Sequence, residues 1–266
     1  MKTFKKVAYI VLLLFFAAVF LASAFYIGRY LLDSKKQADK YHSLSNQVDE
    51  IRKGEMVPAE TVLAPYTEPG SDAHAAILPE YAALYKQNTD MIGWISIEGT
   101  KVNYPVMQSP DEKDFYLHHN FEKEESSHGA IYVQESCDPI KPSDNLTIYG
   151  HNMKDNSMFG SLDGYVKKDF WESHKFIQFD TLTERHTYEI IAVFSTTATE
   201  GQGFTYHQFI DAADADDFND FVNTCKKLSF YETGLSTNYG DKLITLSTCE
   251  YSHENGRLVV VAKRIE

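Results

Sequence analysis

The sequence predicts a mainly β fold, a mainly antiparallel barrel or sandwich with N-terminal helices and one inserted helix. Three observations predict it. Eight short runs of β-type residues, separated by turn signals, fill the chain beyond residue 93. One amphipathic helical period interrupts them ahead of the last two runs. The 17 Tyr and 17 Phe among 266 residues supply the bulk for a large core.

Residues 7–27 are 21 positions without a charge. At 1.5 Å per residue they cross a ~30 Å hydrocarbon layer. Lys2, Lys5 and Lys6 precede them, so the positive-inside rule places residues 1–6 in the cytoplasm and the remainder outside. Ala22-Ser23-Ala24 resembles the cleavage site of a signal peptide, which is the rival reading. The apolar stretch exceeds the ~7–15 residues of a signal-peptide core and continues through Phe25, Tyr26 and Ile27, which favours an uncleaved signal anchor over residues 7–27.

Residues 28–79 read as an extracellular stalk and linker. In the stalk, Tyr41, Leu44, Val48 and Ile51 recur at steps of three and four and form one narrow apolar stripe. That stripe packs on the body or a partner, or else belongs to a solvated helix. Residues 57–79 contain Pro58, Pro65, Pro69, Gly70 and Pro79 and read as the linker. The body occupies residues 80–266. Residues 79–88 suit a short helix with Pro in its first turn. The β runs are 94–97, 101–106, 130–133, 146–149, 176–179, 187–194, 242–248 and 258–263. Within residues 211–228, Phe218, Phe221, Val222, Cys225 and Leu228 lie on one helical face. This inserted helix is a candidate wall for a binding groove.

Composition narrows the function. The chain carries 25 basic and 38 acidic residues. The first 36 residues hold six basic groups and one acid, which leaves 19 basic and 37 acidic in the rest. So acidic a body does not suit nucleic acid, whose binding depends on neutralising phosphates. Three cysteines are too few for a disulfide framework or a structural zinc site. No acidic run has EF-hand spacing, so no metal is expected, nor any cofactor.

The cysteines differ in setting. Cys225 lies on the apolar face of the inserted helix and reads as core. Cys137 lies in a turn-rich stretch and reads as a bystander; a bridge to Cys225 is left open. Cys249 ends the run 243–248, and Arg257 begins the next one after an Asn-Gly turn signal. That arrangement brings Cys249 and Arg257 to the same end of a sheet. A guanidinium stabilises a thiolate and can donate to a developing oxyanion. A cysteine nucleophile also needs an acid–base partner. Among ten His, His151 stands at a strand end, after Gly150. His253 sits in the turn near Cys249, where a solvated loop residue is expected. His118, His119, His128, His174, His186 and His207 show no distinguishing spacing and read mostly as surface groups.

Thr245-Leu246-Ser247-Thr248-Cys249, with Arg257 and the upstream Gly150-His151-Asn152-Met153, resembles the signature set of the sortases. Gly93-Trp94-Ile95 and a single N-terminal anchor agree with it, and the resemblance covers residues 80–266. The inserted helix and helical N-terminal segments most resemble class B. The resemblance implies an eight-stranded sortase-type β-barrel with N-terminal helices and an inserted helix before the nucleophile strand. It implies a membrane-bound cysteine transpeptidase on the outer face of a Gram-positive cell. Such an enzyme cuts a C-terminal sorting signal of a secreted protein after Thr. It then passes the acyl group to an amine of the peptidoglycan precursor. In that reading Cys249 is the nucleophile, Arg257 stabilises the oxyanion, and His151 is the acid and base. By analogy Ser247 and Glu250 flank the substrate groove, with Tyr206 and Thr205 as further candidates. Two rivals stay open at this level: a membrane-anchored cysteine protease using water, and a non-catalytic surface receptor. A scaffold acting through the stripe of residues 41–51 is a third.

Overall fold

The computed structural model describes residues 2–58, 60–67, 74–199, 201–250 and 255–266. The chain divides into two compact units, Met1–His42 and Ser43–Glu266. Helix α1 is Lys2–Arg52, a stretch without proline. It stops at Gly54, whose φ of 74° is the left-handed conformation that closes helices. In the first unit the apolar side chains from Tyr9 to Leu32 are largely exposed. Among the described residues, α1 is the one helix long and apolar enough to cross a membrane.

The second unit opens with buried Leu44, Val48 and Ile51, so these three residues of the stripe do not stand in solvent. Arg52 secures this end of α1. Its guanidinium donates to Glu80 Oε1 at 3.3 Å, to Asp180 Oδ2 at 2.6 Å and to the Tyr81 hydroxyl. Two short strands follow, β1 (Leu63–Thr67) and β2 (His74–Ala76), paired antiparallel. They fall in the stretch expected to be a linker, so that expectation missed a small sheet. Its prolines misled: in a two-stranded sheet every strand is an edge, where Pro65 is tolerated. Helix α2 (Pro79–Gln87) carries Pro in its first turn as expected.

Among the described residues, eight strands close into a barrel: β3 (Met91–Ser96), β4 (Asn103–Met107), β5 (Ile131–Val133), β6 (Asn145–Tyr149), β7 (Phe176–Thr181), β8 (Thr187–Thr197), β9 (Leu243–Glu250) and β10 (Gly256–Arg264). All eight match the sequence runs to within a few residues. The order around the barrel is β10-β8-β7-β3-β4-β5-β6-β9. Pairing is antiparallel except for β4 with β5 and β6 with β9. Short helices α3 (Phe115–His118) and α4 (Lys168–Ser173) lie in connections.

Helix α5 (Ala215–Leu228) begins four residues later than the periodicity suggests. Asp214 caps it, accepting from the amides of Asp216 and Asp217 at 3.0 Å. Phe218, Phe221, Val222 and Cys225 are buried with Ile191 and Phe194 of β8, Leu243 of β9, and Val259 and Val261 of β10. Leu228 is 42% exposed and leaves this face. α5 therefore covers one stretch of the barrel's outer surface. Expected as a groove wall, it contributes no residue to the lining of the cavity described below.

Candidate active site

Strand alternation decides what stands beyond the end of α5. Successive residues point to opposite faces. Leu243 of β9 packs under α5, so Thr245, Ser247 and Cys249 share that face. Val259 and Val261 of β10 also pack under α5, so Arg257 shares it too. The register places Arg257 directly opposite Cys249. Side chains opposed in this way stand ~5 Å apart at Cβ. On the other side of β9, Tyr149 pairs with Ser247, and Tyr132 of β5 pairs with Tyr149. Tyr132, Tyr149, Ser247, Cys249 and Arg257 thus form a continuous floor across four strands.

This floor underlies a cavity of about 340 Å³. One wall is Lys113, Asp114 and Leu117 from the β4–β5 connection; the other is Ala198, Tyr206 and His207 from the segment between β8 and α5. His151 completes the lining beside Cys249. The hydroxyl of Tyr132 donates to Asp114 Oδ1 at 2.9 Å, and that of Tyr149 to Gln134 Oε1 at 2.9 Å. Gln134 Nε2 in turn donates to the His207 carbonyl at 3.2 Å. Tyr206 and Ser247 share a 2.6 Å hydrogen bond between hydroxyls. Burial pushes the Tyr206 phenol above its ordinary range, against the opposing effects of Ser247 and Arg257, so it stays protonated at neutral pH. His207 is pushed down by burial, then by the positive charges of Lys113 and Arg257.

Local sequence explains where His151 stands. Gly150 leaves β6 with no room for a side chain, since a Cβ would lie 2.8 Å from the Phe159 ring. His151 Nε2 lies 2.7 Å from the Leu117 carbonyl. A carbonyl only accepts, so Nε2 carries the proton, and Nδ1 is the nitrogen of the neutral ring left to take one. The Thr248 hydroxyl donates to the Gly150 carbonyl at 2.7 Å, which ties the histidine loop to the cysteine strand.

The three cysteines are free thiols. Burial pushes Cys137 up to about 11 and raises Cys225 further, so both remain neutral and enclosed. Cys249 is the one that is partly exposed. Of the seven residues singled out in the sequence, five line one cavity: Cys249, His151, Arg257, Ser247 and Tyr206. Thr205 and Glu250 do not. Glu250 follows Cys249 on the strand, and alternation turns it to the other face. Thr205 is exposed where the 3₁₀ turn Tyr206–Gln208 begins. His253 lies outside the described residues. Sequence reading missed His207, Leu117 and Lys113 as lining, and expected His128 at the surface although it is 2% exposed. Among the described residues, no group of three His, Cys, Asp or Glu is placed to hold a metal ion.

Comparison with known proteins gives this geometry a family. A family model described as the Sortase domain matches residues 95–265. A sortase B from Listeria monocytogenes is 34% identical over 197 residues, 73% of this chain and 78% of that protein. The structure of a Staphylococcus aureus sortase B–substrate complex superposes with a TM-score of 0.74 at 28% identity, covering 88% of this chain and 99% of that one. A sortase B complexed with triglycine gives 0.72 at 28% identity, with the same coverage of each chain. The barrel, the inserted helix and these relatives together establish that the chain belongs to the sortase family of cysteine transpeptidases, with its homologues in class B.

Proposed function

We propose that this sortase cleaves a C-terminal sorting signal of secreted proteins after Thr and transfers the acyl group to an amine of the peptidoglycan precursor. Residues 7–27 hold it in the cell membrane, residues 1–6 remain in the cytoplasm, and the compact unit Ser43–Glu266 acts outside. The observation that carries the reading is the pairing of Cys249 with Arg257 in register, with His151 lining the same cavity.

The Cys249 thiol first passes its proton to Nδ1 of His151; the thiolate then attacks the Thr carbonyl carbon, and the electron pair moves to the carbonyl oxygen. Arg257, opposite the thiol, donates charge-assisted hydrogen bonds to that oxyanion. When the tetrahedral adduct collapses, the C–N bond breaks and His151 gives its proton to the departing amine. The product is a thioester on Cys249. His151, now neutral, takes a proton from the incoming amine as it attacks the thioester, and the thiolate is released. One hard amide exchange thus becomes two easier steps. Ser247 and Tyr206, joined by their hydroxyls on the cavity surface, are proposed to contact the sorting peptide. The relatives solved with a substrate and with triglycine support a peptide donor and an amine acceptor for this chain too.

The test uses the full chain in detergent with a pool of internally quenched peptides that have Thr fixed at the cleaved position. Triglycine is added or withheld, and products are read by mass. The reading predicts triglycine-linked product that vanishes in Cys249→Ala. Cleavage by water alone, unchanged by triglycine, would favour a protease. Cleavage that survives in Cys249→Ala would contradict the assignment of the nucleophile.

A further inference from the structure

The loop after β6 carries two adjacent polar residues: His151, which lines the cavity, and Asn152, which bonds the cysteine strand. The backbone ladder between β6 and β9 ends where Tyr149 pairs with Ser247. Beyond that point the two strands need other ties. The Gly150 amide donates to the Ser247 carbonyl at 3.2 Å, and the Thr248 hydroxyl to the Gly150 carbonyl at 2.7 Å. The third tie reaches the cysteine itself: Asn152 Nδ2 donates to the Cys249 carbonyl at 2.9 Å.

A primary amide nitrogen has two hydrogens. The second of Asn152 goes to Asp163 Oδ1, also at 2.9 Å. Asp163 projects from the 3₁₀ helix Gly160–Val166, and its negative charge strengthens the bond. Asn152 is 8% exposed, and its backbone bridges to Met158. The Phe159 amide donates to the His151 carbonyl at 2.9 Å, which pins the same loop from behind. The His151 ring is held separately, by Leu117. The histidine is therefore anchored on one wall, and the cysteine backbone is anchored to the residue next to that histidine.

We propose that Asn152, oriented by Asp163, is a positioning residue that sets the reach between His151 and Cys249. The proposal rests on the reading of Cys249 and His151 given above. Asn152 touches neither substrate nor the reacting atoms. It acts by holding the Cys249 carbonyl, and so the Cα–Cβ bond that aims the thiol. Proton transfer from His151 tolerates little error in this distance: a displacement of ~1 Å costs roughly 10²-fold in rate.

The experiment measures kcat and KM in the full chain with the most rapidly cleaved member of the quenched peptide pool, in triglycine, with Cys249→Ala as background. Asn152→Ala should lower kcat roughly 10²-fold while KM changes less than about twofold. Asp163→Ala should lower kcat roughly 10-fold, because the carboxamide loses its orienting acceptor. Asp163→Asn keeps an acceptor oxygen and should stay close to the unsubstituted rate, a rescue that a general stability or charge role does not give. Asn152→Ala with Asp163→Ala should be no slower than Asn152→Ala alone, because the two act as one unit. The Asp163 variants alter an exposed side chain, so their contrast holds even where Asn152→Ala folds poorly. Cys249-dependent turnover with Asn152→Ala near the unsubstituted rate would overturn the clamp and leave the site reading intact. Multiplying losses in the double variant would overturn the Asn152–Asp163 unit. No Cys249-dependent turnover from any peptide would overturn the site reading, and the clamp with it.

Discussion

Arg257 can be replaced without moving its charge. Lys keeps the positive charge but loses the planar fork that matches an oxyanion. Arg257→Lys should lower kcat by roughly 10²-fold, the scale of a lost oxyanion donor, with the fold unchanged by circular dichroism. Tyr206→Phe removes one partner of a buried hydroxyl pair and leaves Ser247, 1% exposed, short of its 2.6 Å partner. That should cost about 1–2 kcal/mol in denaturant titration. At this scale the sequence was most legible where a side chain both carries the chemistry and ends a strand, as Cys249, His151 and Arg257 do. The Leu117 contribution was not legible, because a backbone carbonyl leaves no mark on residue identity. His207 was not legible either, because its place on the cavity wall depends on a segment folded back over the floor. Asn152 was visible in its motif, but its task appears only when the Cys249 carbonyl is found beside it.

Among the elements, α5 and the last turns of α1 offer the clearest tests. Asp214→Ala removes the cap that satisfies two amides of α5 and should cost about 1 kcal/mol in thermal unfolding. Leu44 is 4% exposed, and Leu44→Ala should cost about 2–4 kcal/mol; a solvated stripe would cost almost nothing. The eight barrel strands were readable because each is a β-branched or aromatic run ending in turn residues. The two parallel pairs were not, since β4 meets β5 and β6 meets β9 through barrel closure rather than through any local signal. β1 and β2 were hidden by the prolines that make their stretch look like a linker. α5 was readable as a helix, yet its role was not, because periodicity identifies an apolar face without identifying what lies beneath it.

At the scale of the whole molecule, a polar network ties helix, sheet and connection together. Glu80 and Asp180 are 2% and 3% exposed, and Arg52 and Arg185 meet them from the rim. Arg52→Ala should cost about 2 kcal/mol, less than a fully buried ion pair because Arg52 is 29% exposed. Burial alone would raise the Glu80 carboxyl, but its backbone amide bond and the two guanidinia outweigh that and hold it below its ordinary value. His186 is lowered, first by burial and then by Arg264. Both groups are depressed on folding, so their stabilisation is present above the unfolded values and is lost as pH falls through the folded ones. His207 is lowered in the same sense, so the melting temperature should drop as pH is lowered from 7 to 5, and His186→Gln should drop less, by the share that His186 carries.

The chemistry turns on the acyl group carried by Cys249. The most direct measurement incubates the full chain with the quenched peptide pool without amine, quenches in acid, digests the protein and maps the adduct by mass spectrometry. A thioester intermediate gives a mass increase equal to the peptide's N-terminal fragment, located on Cys249 and removed by hydroxylamine. An adduct on a different residue, or cleaved peptide with an unmodified Cys249 at every time point, would contradict it.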